Sequence, residues 1–363
     1  MRLKKGPPDF ILFITVMALL GIGLVMVFSS SFYTTYVQYG DDYYYFKKQL
    51  MWAILGILAL IVLMKLNYLR IKDLAIPLIV LVVICLILVI PLGTEAKGAV
   101  RSLGVGSIRF SPSELAKLAM VLFLAKTMEI NLDNIKSFAK GILPFLGLLV
   151  LICGLIMLQP DLGTSFVVAG TIFFMLLVAG ARWSHLTVIA FSGIAAVAVA
   201  IAIAPYRMIR FIAFLDPWKY AQTDGFQTIQ SLYALGSGGL FGMGLGMSRQ
   251  KFFYLPEQHT DFIFAILGEE LGFIGVFVVL ALFLLFAWRG FRIAIKAPDT
   301  FGSLLAAGIT VMITFQAAIN IAVVAGALPV TGITLPFISY GGTSLLFTLA
   351  GVGLLLNISR YSN

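Results

Sequence analysis

Ten apolar runs, each close to the roughly 20 residues that a helix needs to cross a bilayer, dominate this 363-residue sequence. Hydrophobic residues make up 61% of the chain and charged residues 11%, which is too little charge to cover a soluble globule. The pattern predicts an all-α integral membrane protein of about ten transmembrane helices, forming one polytopic domain over residues 1–363. It excludes soluble enzymes and nucleic-acid-binding proteins. The runs begin near Phe10, Leu50, Leu74, Leu115, Gly141, Gly163, Leu186, Phe262, Phe301 and Thr343.

The distribution of charge predicts the orientation of these spans. More than half of the 25 Lys and Arg residues lie in short segments on the side of the N-terminus, and most of the 16 acidic residues lie toward the other side. Both termini are therefore expected in the cytoplasm under the positive-inside rule. The chain starts with Arg2, Lys4 and Lys5, followed by an apolar stretch that is too long for a signal peptide, so we expect an uncleaved first helix.

Residues 205–261, between spans 7 and 8, form a large extracytoplasmic loop, whereas most other connections are short. The loop ends with Glu257, His259 and Asp261, directly before an apolar span. Thr260 or Asp261 could cap the helix that follows, and Asp261 could instead act as a general base. The residues alone leave both interpretations open. A second polar outer loop runs from Gly93 to Ser113.

Several ionisable residues fall inside the predicted spans, where an unpaired charge is costly. Glu114 and Lys117 share one helical face at the start of the fourth span. Glu269 and Glu270 lie about two turns into the eighth span, and they could line a polar cavity or pair with a basic residue such as Lys117. Asp161 is best interpreted as the cap of the sixth span.

Two segments indicate irregular backbone within the membrane region. The glycine-rich run from Gly236 to Gly246 follows no strand, which excludes a dinucleotide fingerprint and favours close backbone packing and a mobile loop. The stretch from Pro329 to Ser344 mixes Pro and Gly with apolar residues and cannot continue as a helix, so it should line a cavity. Such a cavity suits a transporter as well as an enzyme.

These motifs together resemble the SEDS family (shape, elongation, division and sporulation) of polytopic peptidoglycan polymerases. Within the family the sequence is most similar to the sporulation type, then the division type, then the rod-elongation type. The stretch Val100-Arg101-Ser102-Leu103 departs from the usual family pattern. The motifs that carry the resemblance are Ser111-Pro112-Ser113-Glu114, Gln159 to Thr164, Tyr206-Arg207, Asp216-Pro217-Trp218, Gly225-Phe226-Gln227, Gln230-Ser231, Pro256-Glu257, Thr260-Asp261-Phe262, Gly268 to Gly272 and Pro329 to Ser344.

The resemblance implies a glycosyltransferase of the bacterial cytoplasmic membrane that joins lipid II units into glycan strands at the outer face, for spore cortex, septal or cell-wall synthesis. It makes Asp261 the essential catalytic residue. The expected partners are lipid II, membrane lipids and a class B penicillin-binding protein docked on spans 8 and 9, and the expected cofactor is a divalent cation, Mg or Mn. A lipid II flippase is the alternative function. The residues expected to bind substrate are Arg101, Glu114, Lys117, Arg207, Arg210, Glu257, Glu269 and Ser339, with the three arginines assigned to pyrophosphate.

Overall fold

The computed structural model describes residues 5–96, 99–105 and 108–361, so Arg2 and Lys4 of the basic start lie outside it. Helices form most of the described chain. In order, they are α1 (Phe10–Tyr39), α2 (Tyr44–Lys65), α3 (Tyr68–Ile71), α4 (Ala75–Leu92), α5 (Pro112–Ile130), α6 (Leu143–Met157), α7 (Leu162–Val178), α8 (Trp183–Ile203), α9 (Pro205–Leu215), α10 (Phe226–Ser237), α11 (Ile263–Lys296), α12 (Thr300–Val324) and α13 (Gly342–Ser359). Short 3₁₀ turns lie at Lys72–Leu74, Leu132–Asn134 and Pro217–Tyr220, and a π turn lies at Phe138–Ile142.

Within the described residues, eight helical segments are long and apolar enough to cross a bilayer, which confirms a multi-pass membrane protein. Helices α5 and α7 occupy the other two predicted positions. Helix α7 has 17 residues, and α5 carries four charged side chains along its length. The eight segments are Phe10–Tyr39, Tyr44–Lys65, Tyr68–Leu92, Phe138–Met157, Trp183–Ile203, Ile263–Lys296, Thr300–Val324 and Gly342–Ser359.

A small antiparallel sheet is added to the helical fold that the sequence predicted. Strands β1 (Thr94–Ala96), β2 (Ala99–Val105) and β3 (Ile108–Phe110) pair in the order β1-β2-β3, within the segment expected to be a polar loop. Strands β1 and β3 have three residues each, which is too short to show a recognisable alternation in the sequence. The ring of Phe110 contacts that of Phe347 in α13, with centroids 5.9 Å apart, so the sheet is attached to the helical bundle.

The two ends of the described chain lie side by side. The amide of Gly6 donates to the Arg360 carbonyl at 2.7 Å, and the amide of Asp9 donates to Ser359 Oγ at 3.0 Å. Arg289 Nε also donates to Asp9 Oδ2 at 2.9 Å, which ties α11 to the same point. The ends therefore lie on one side of the bundle, as an even number of crossings requires.

Helices α12 and α13 form the centre of the bundle, because most of their side chains are buried. Helix α8 lies at the periphery, where Leu186 is its one buried residue. Helix α9 follows at once as an amphipathic segment that carries Arg207 and Arg210 on one face and large apolar residues on the other.

Close backbone packing, expected from the glycine-rich run, is confirmed where this run meets α11. Helix α11 is broken at Gly272, whose φ of 64° lies in the left-handed region. A Cβ at Gly272 would lie 2.2 Å from the Gly242 amide nitrogen, and one at Gly238 would lie 2.0 Å from the Gly268 carbonyl oxygen. The loop backbone can approach α11 this closely because these positions have no side chain.

We expect Gly272→Ala to destabilise the protein by about 1–3 kcal/mol, because it adds both left-handed strain and a backbone clash. Thermal unfolding of the purified protein in detergent measures this. Gly193→Ala is the matched control, since no atom lies within 4 Å of its Cβ position in α8. Equal melting temperatures for the two variants would contradict the proposed packing.

Candidate active site

Asp261 lies at the end of the long loop and is half-buried. Helix α11 begins at Ile263, and Phe262 occupies its N-cap position. The expectation that Thr260 or Asp261 is the cap residue is therefore wrong, because the chain enters the helix one residue later. The Thr260 hydroxyl instead donates to Glu257 Oε2 at 2.8 Å, and Glu257 itself has a left-handed φ of 56°.

A buried amide from α12 fixes the backbone beside Asp261. Asn320 Nδ2 donates to the carbonyl oxygens of Asp261 and Ile333, each at 2.7 Å. The Asp261 carboxylate faces Gly332, where an added Cβ would lie 3.7 Å from Oδ2. Asp261 thus meets the segment between α12 and α13, residues 325–341, which contains no helix and is called the broken segment below.

Ser339 joins the broken segment to the Asp261 loop. Its hydroxyl donates to the Thr260 carbonyl at 2.6 Å and accepts from the Leu335 amide at 2.8 Å. Gln49 of α2 donates to the Ser339 carbonyl at 3.0 Å. The prediction that the broken segment cannot be helical is confirmed up to Tyr340, and α13 begins at Gly342. The structure therefore gives Ser339 a positioning role.

Aromatic stacking holds the same junction from the α2 side. The Tyr340 amide donates to the His259 carbonyl at 2.9 Å, and the His259 ring stacks on Tyr45 with centroids 4.4 Å apart. The junction between the broken segment and the loop that ends at Asp261 is therefore also held to α2.

Glu114 and Lys117, which share one helical face as expected, form an ion pair with Lys117 Nζ 2.8 Å from Glu114 Oε2. Lys117 also donates to Gln316 Oε1 at 2.7 Å, and Gln316 Nε2 donates to the Thr334 carbonyl at 2.9 Å. This chain of contacts places both residues beside the broken segment. It also shows that Lys117 is not the partner of Glu269 or Glu270.

The partner of Glu270 is Lys251, which lies in the long loop. Lys251 Nζ is 3.0 Å from Glu270 Oε1, and both side chains are fully buried. Ser29 of α1 donates to the other carboxylate oxygen, Oε2, at 2.6 Å. Sequence reasoning missed the pairing of Lys251 with Glu270, because only the folding of the glycine-rich run brings this lysine back to α11.

Glu269 holds the loop in a similar way. It accepts from the amides of Arg249 at 2.9 Å and Gln250 at 3.3 Å, and from the Ser248 hydroxyl. The side chain is 1% exposed. Through these contacts Glu269 anchors the loop to α11. Substrate binding by Glu269 stays a prediction, and the burial of the side chain does not favour it.

The predicted arginines fall into different places. Arg101 donates to the Gln159 and Pro160 carbonyls at 3.3 and 2.6 Å, next to Asp161, which caps α7 as expected by accepting from the Thr164 amide at 2.9 Å. A Cβ on the neighbouring Gly163 would lie 2.6 Å from the Thr331 carbonyl oxygen, so Arg101 lies near the broken segment.

Arg207 joins two helices, since it donates to the Ala200 carbonyl of α8 at 3.0 Å and stacks on Tyr206 of α9. Arg210 instead lines a cavity of about 300 Å³ between α9, α10, the segment before Asp261 and the broken segment. The residues that line this cavity are Arg210, Phe214, Thr223, Asp224, Phe226, Gln227, Thr228, Pro256 and Val330.

The buried amides Gln316 and Asn320 were also missed, although a signal exists in the sequence. They lie four residues apart in an otherwise apolar helix, and so they share one face.

Among residues 5–96, 99–105 and 108–361, no group of three His, Cys, Asp or Glu side chains could hold a metal ion. The divalent cation expected from the family resemblance stays a prediction.

Comparison with known proteins shows the family of this chain. Residues 10–363 match the family described as "Cell cycle protein", the FtsW, RodA and SpoVE family. The chain belongs to this family. It is 49% identical to stage V sporulation protein E of Bacillus subtilis over 100% of both chains. It is 42% identical to a probable peptidoglycan glycosyltransferase FtsW of Trichlorobacter lovleyi, over 97% of this chain and 93% of the relative.

A similar chain occurs in a solved structure of a peptidoglycan synthase complex that coordinates polymerization and crosslinking. Its TM-score is 0.81 at 33% identity, and the match covers 98% of this chain and 99% of the other. The resemblance to the SEDS family and the similarity to its sporulation and division types are thus confirmed.

We expect Lys251→Met to destabilise the protein by about 3–5 kcal/mol, because it leaves Glu270 as a buried charge without its cation. The double variant Lys251→Met with Glu270→Gln should recover part of this loss, since the amide oxygen can still accept from Ser29. Thermal unfolding of the single and double variants checks the coupling. A double variant whose loss equals the sum of the single losses would contradict the ion pair.

Proposed function

We propose that this protein polymerises lipid II into glycan strands at the outer face of the cytoplasmic membrane, with Asp261 as the general base. The enzyme class, a peptidoglycan glycosyltransferase, follows from the relatives that carry this name. The observation that carries the assignment of Asp261 is its position. It lies where the long loop meets the broken segment, its backbone is fixed by Asn320, and its carboxylate faces a glycine.

In the proposed reaction, Asp261 takes the proton from the 4-hydroxyl of the acceptor GlcNAc as that oxygen attacks the anomeric carbon of the donor MurNAc. A C–O bond forms there, and the bond from the same carbon to undecaprenyl pyrophosphate breaks. Because pyrophosphate is a good leaving group, the site needs one base and cations but no strong general acid. Half-burial of Asp261 leaves it accessible to the acceptor hydroxyl.

We assign pyrophosphate recognition to Arg101 and Arg207. Guanidinium groups suit bidentate contact with phosphate oxygens. Arg101 lies beside the broken segment, and Arg207 lies on the amphipathic helix α9, where a lipid headgroup would lie. Mg²⁺ usually binds to one or two carboxylates together with substrate phosphates, so we propose that any divalent cation arrives with the pyrophosphate.

The proposed orientation has ten crossings, cytoplasmic termini and the long loop outside. It is supported by ten helices at the predicted positions and by the adjacent chain ends.

We expect a Cys placed at Lys219 to react with a membrane-impermeant thiol reagent in intact cells. A Cys placed at Lys136, in a short basic connection, is the control and should react only after permeabilisation. The reverse pattern would overturn the orientation.

The proposed partner is a class B penicillin-binding protein, supported by the structural similarity to a chain of a peptidoglycan synthase complex. Its docking surface was expected on spans 8 and 9. Helix α11 does expose large apolar side chains, including Phe273, Phe277, Leu284 and Trp288. Helix α12 exposes no large apolar side chain along its described length, because it lies in the centre of the bundle. The expectation for span 9 is therefore corrected, and α11 is the proposed surface.

We expect Asp261→Asn to lower the rate of glycan polymerisation by about 10²–10⁴-fold, because the near-isosteric amide cannot accept the proton. Purified protein with labelled lipid II measures the product strands, and thermal unfolding should be unchanged. Asp216→Asn is the matched control, since Asp216 accepts from the Lys219 amide at the start of a 3₁₀ turn and Asn can replace it in that role. Polymerisation by Asp261→Asn at the wild-type rate would exclude Asp261 as the base. The absence of polymerisation by the wild-type protein would favour a flippase, which needs no single outer carboxylate.

A further inference from the structure

The cavity that contains Arg210 has a lining whose charges cancel. Arg210 is its one cationic residue and Asp224 its one anionic residue among the nine that line it. Arg210 Nε lies 3.8 Å from Asp224 Oδ1, and both side chains are partly exposed. This separation exceeds that of a direct hydrogen bond, so both groups keep capacity to bond to a ligand between or beside them.

The remaining lining residues divide into two chemical kinds. Thr223, Gln227 and Thr228 supply hydroxyl and amide groups that can both donate and accept hydrogen bonds. The apolar surface comes from Phe214, Phe226, Pro256 and Val330. A pyrophosphate would require an excess of positive charge, which this lining does not have. A neutral ring with hydroxyl and acetamido groups at its edge and C–H groups on its faces matches both kinds of surface.

Two of the residues that line the cavity lie close in sequence to the proposed reaction centre. Val330 lies two residues before Gly332, which the Asp261 carboxylate faces, and Pro256 lies five residues before Asp261. A volume of about 300 Å³ lies at the lower end of the range for ligand pockets. It therefore suits one sugar ring and not a disaccharide with its peptide.

We propose that this cavity is a subsite for one neutral N-acetylated sugar ring, and that Arg210 and Asp224 read its hydroxyl and acetamido groups. The proposal rests on the proposed function. It gives Arg210 a different ligand from the pyrophosphate expected from the sequence. It also makes Asp224 a residue that determines substrate specificity, a role that sequence reasoning did not assign.

Binding of a free sugar tests the subsite without any turnover. The probe is di-N-acetylchitobiose, observed by saturation-transfer NMR with the purified full-length protein in detergent. We expect signals from the acetyl methyl protons with the wild-type protein. A titration with the sugar gives the apparent affinity, which should fall roughly 10- to 100-fold in Asp224→Asn and in Arg210→Gln, as the loss of a hydrogen bond to a charged group implies. Asp216→Asn, a carboxylate change outside the cavity, should bind like wild type.

Inorganic pyrophosphate is the competing probe. Displacement of the sugar signals by pyrophosphate at equal concentration, or sugar signals that persist unchanged in both cavity variants, would overturn the proposal. So would the absence of sugar signals with the wild-type protein. Because this assay needs no catalysis, an inactive protein that binds the sugar refutes the proposed function alone, and an active protein that does not bind it refutes the subsite alone.

Polymerisation by Asp224→Asn then identifies the source of the ring. If the ring belongs to incoming lipid II, joining of the first two units and later elongation should slow by the same factor. If it belongs to a part of the growing strand beyond the reacting disaccharide, the first joining should be spared and the strands should be shorter. Wild-type kinetics in both steps would overturn the subsite.

Discussion

Backbone groups that leave a helix inside a membrane protein must find hydrogen-bond partners within the protein, and the broken segment depends on this constraint. Three side-chain amides each donate a hydrogen bond to a backbone carbonyl of that segment, namely those of Asn320, Gln316 and Gln49. Ser339 satisfies two further backbone groups. These partners hold an irregular segment in one conformation against Asp261, and the proposed reaction centre depends on that conformation.

Two buried ionic networks support the two sides of this centre. Glu114 and Lys117 continue through Gln316 to the broken segment. Lys251 and Glu270 fasten the long loop to α11 and, through Ser29, to α1. Each charge is compensated, as burial demands. The broken segment and the long loop, which meet at Asp261, are thus each held by a buried ion pair, while Asp261 itself is only half-buried.

The sequence predicted the parts of the molecule that depend on local pattern. The apolar runs form helices, Asp161 caps α7, and Glu114 and Lys117 share one helical face. Their ion pair was not predicted, because Lys117 was expected to pair with Glu269 or Glu270. The contacts that the sequence could not predict form only when the chain folds back on itself. Lys251 reaches Glu270 only through the glycine-rich turn, and the cap of α11 depends on where the chain bends after Thr260. The amides of α12 were visible in the sequence, but their targets were not.

The contacts of α1 bear on how the protein is made. Ser29 bonds to Glu270, 241 residues later, and Asp9 bonds to Arg289, 280 residues later. At ribosomal rates, the first helix waits roughly 15–60 s in the bilayer before that arginine exists. The Gly6 and Asp9 amides bond to Arg360 and Ser359, at the other end of the chain. The bundle therefore closes only after residues 359 and 360 have been made, and the insertion machinery or neighbouring lipid must shield an unfinished α1 until then.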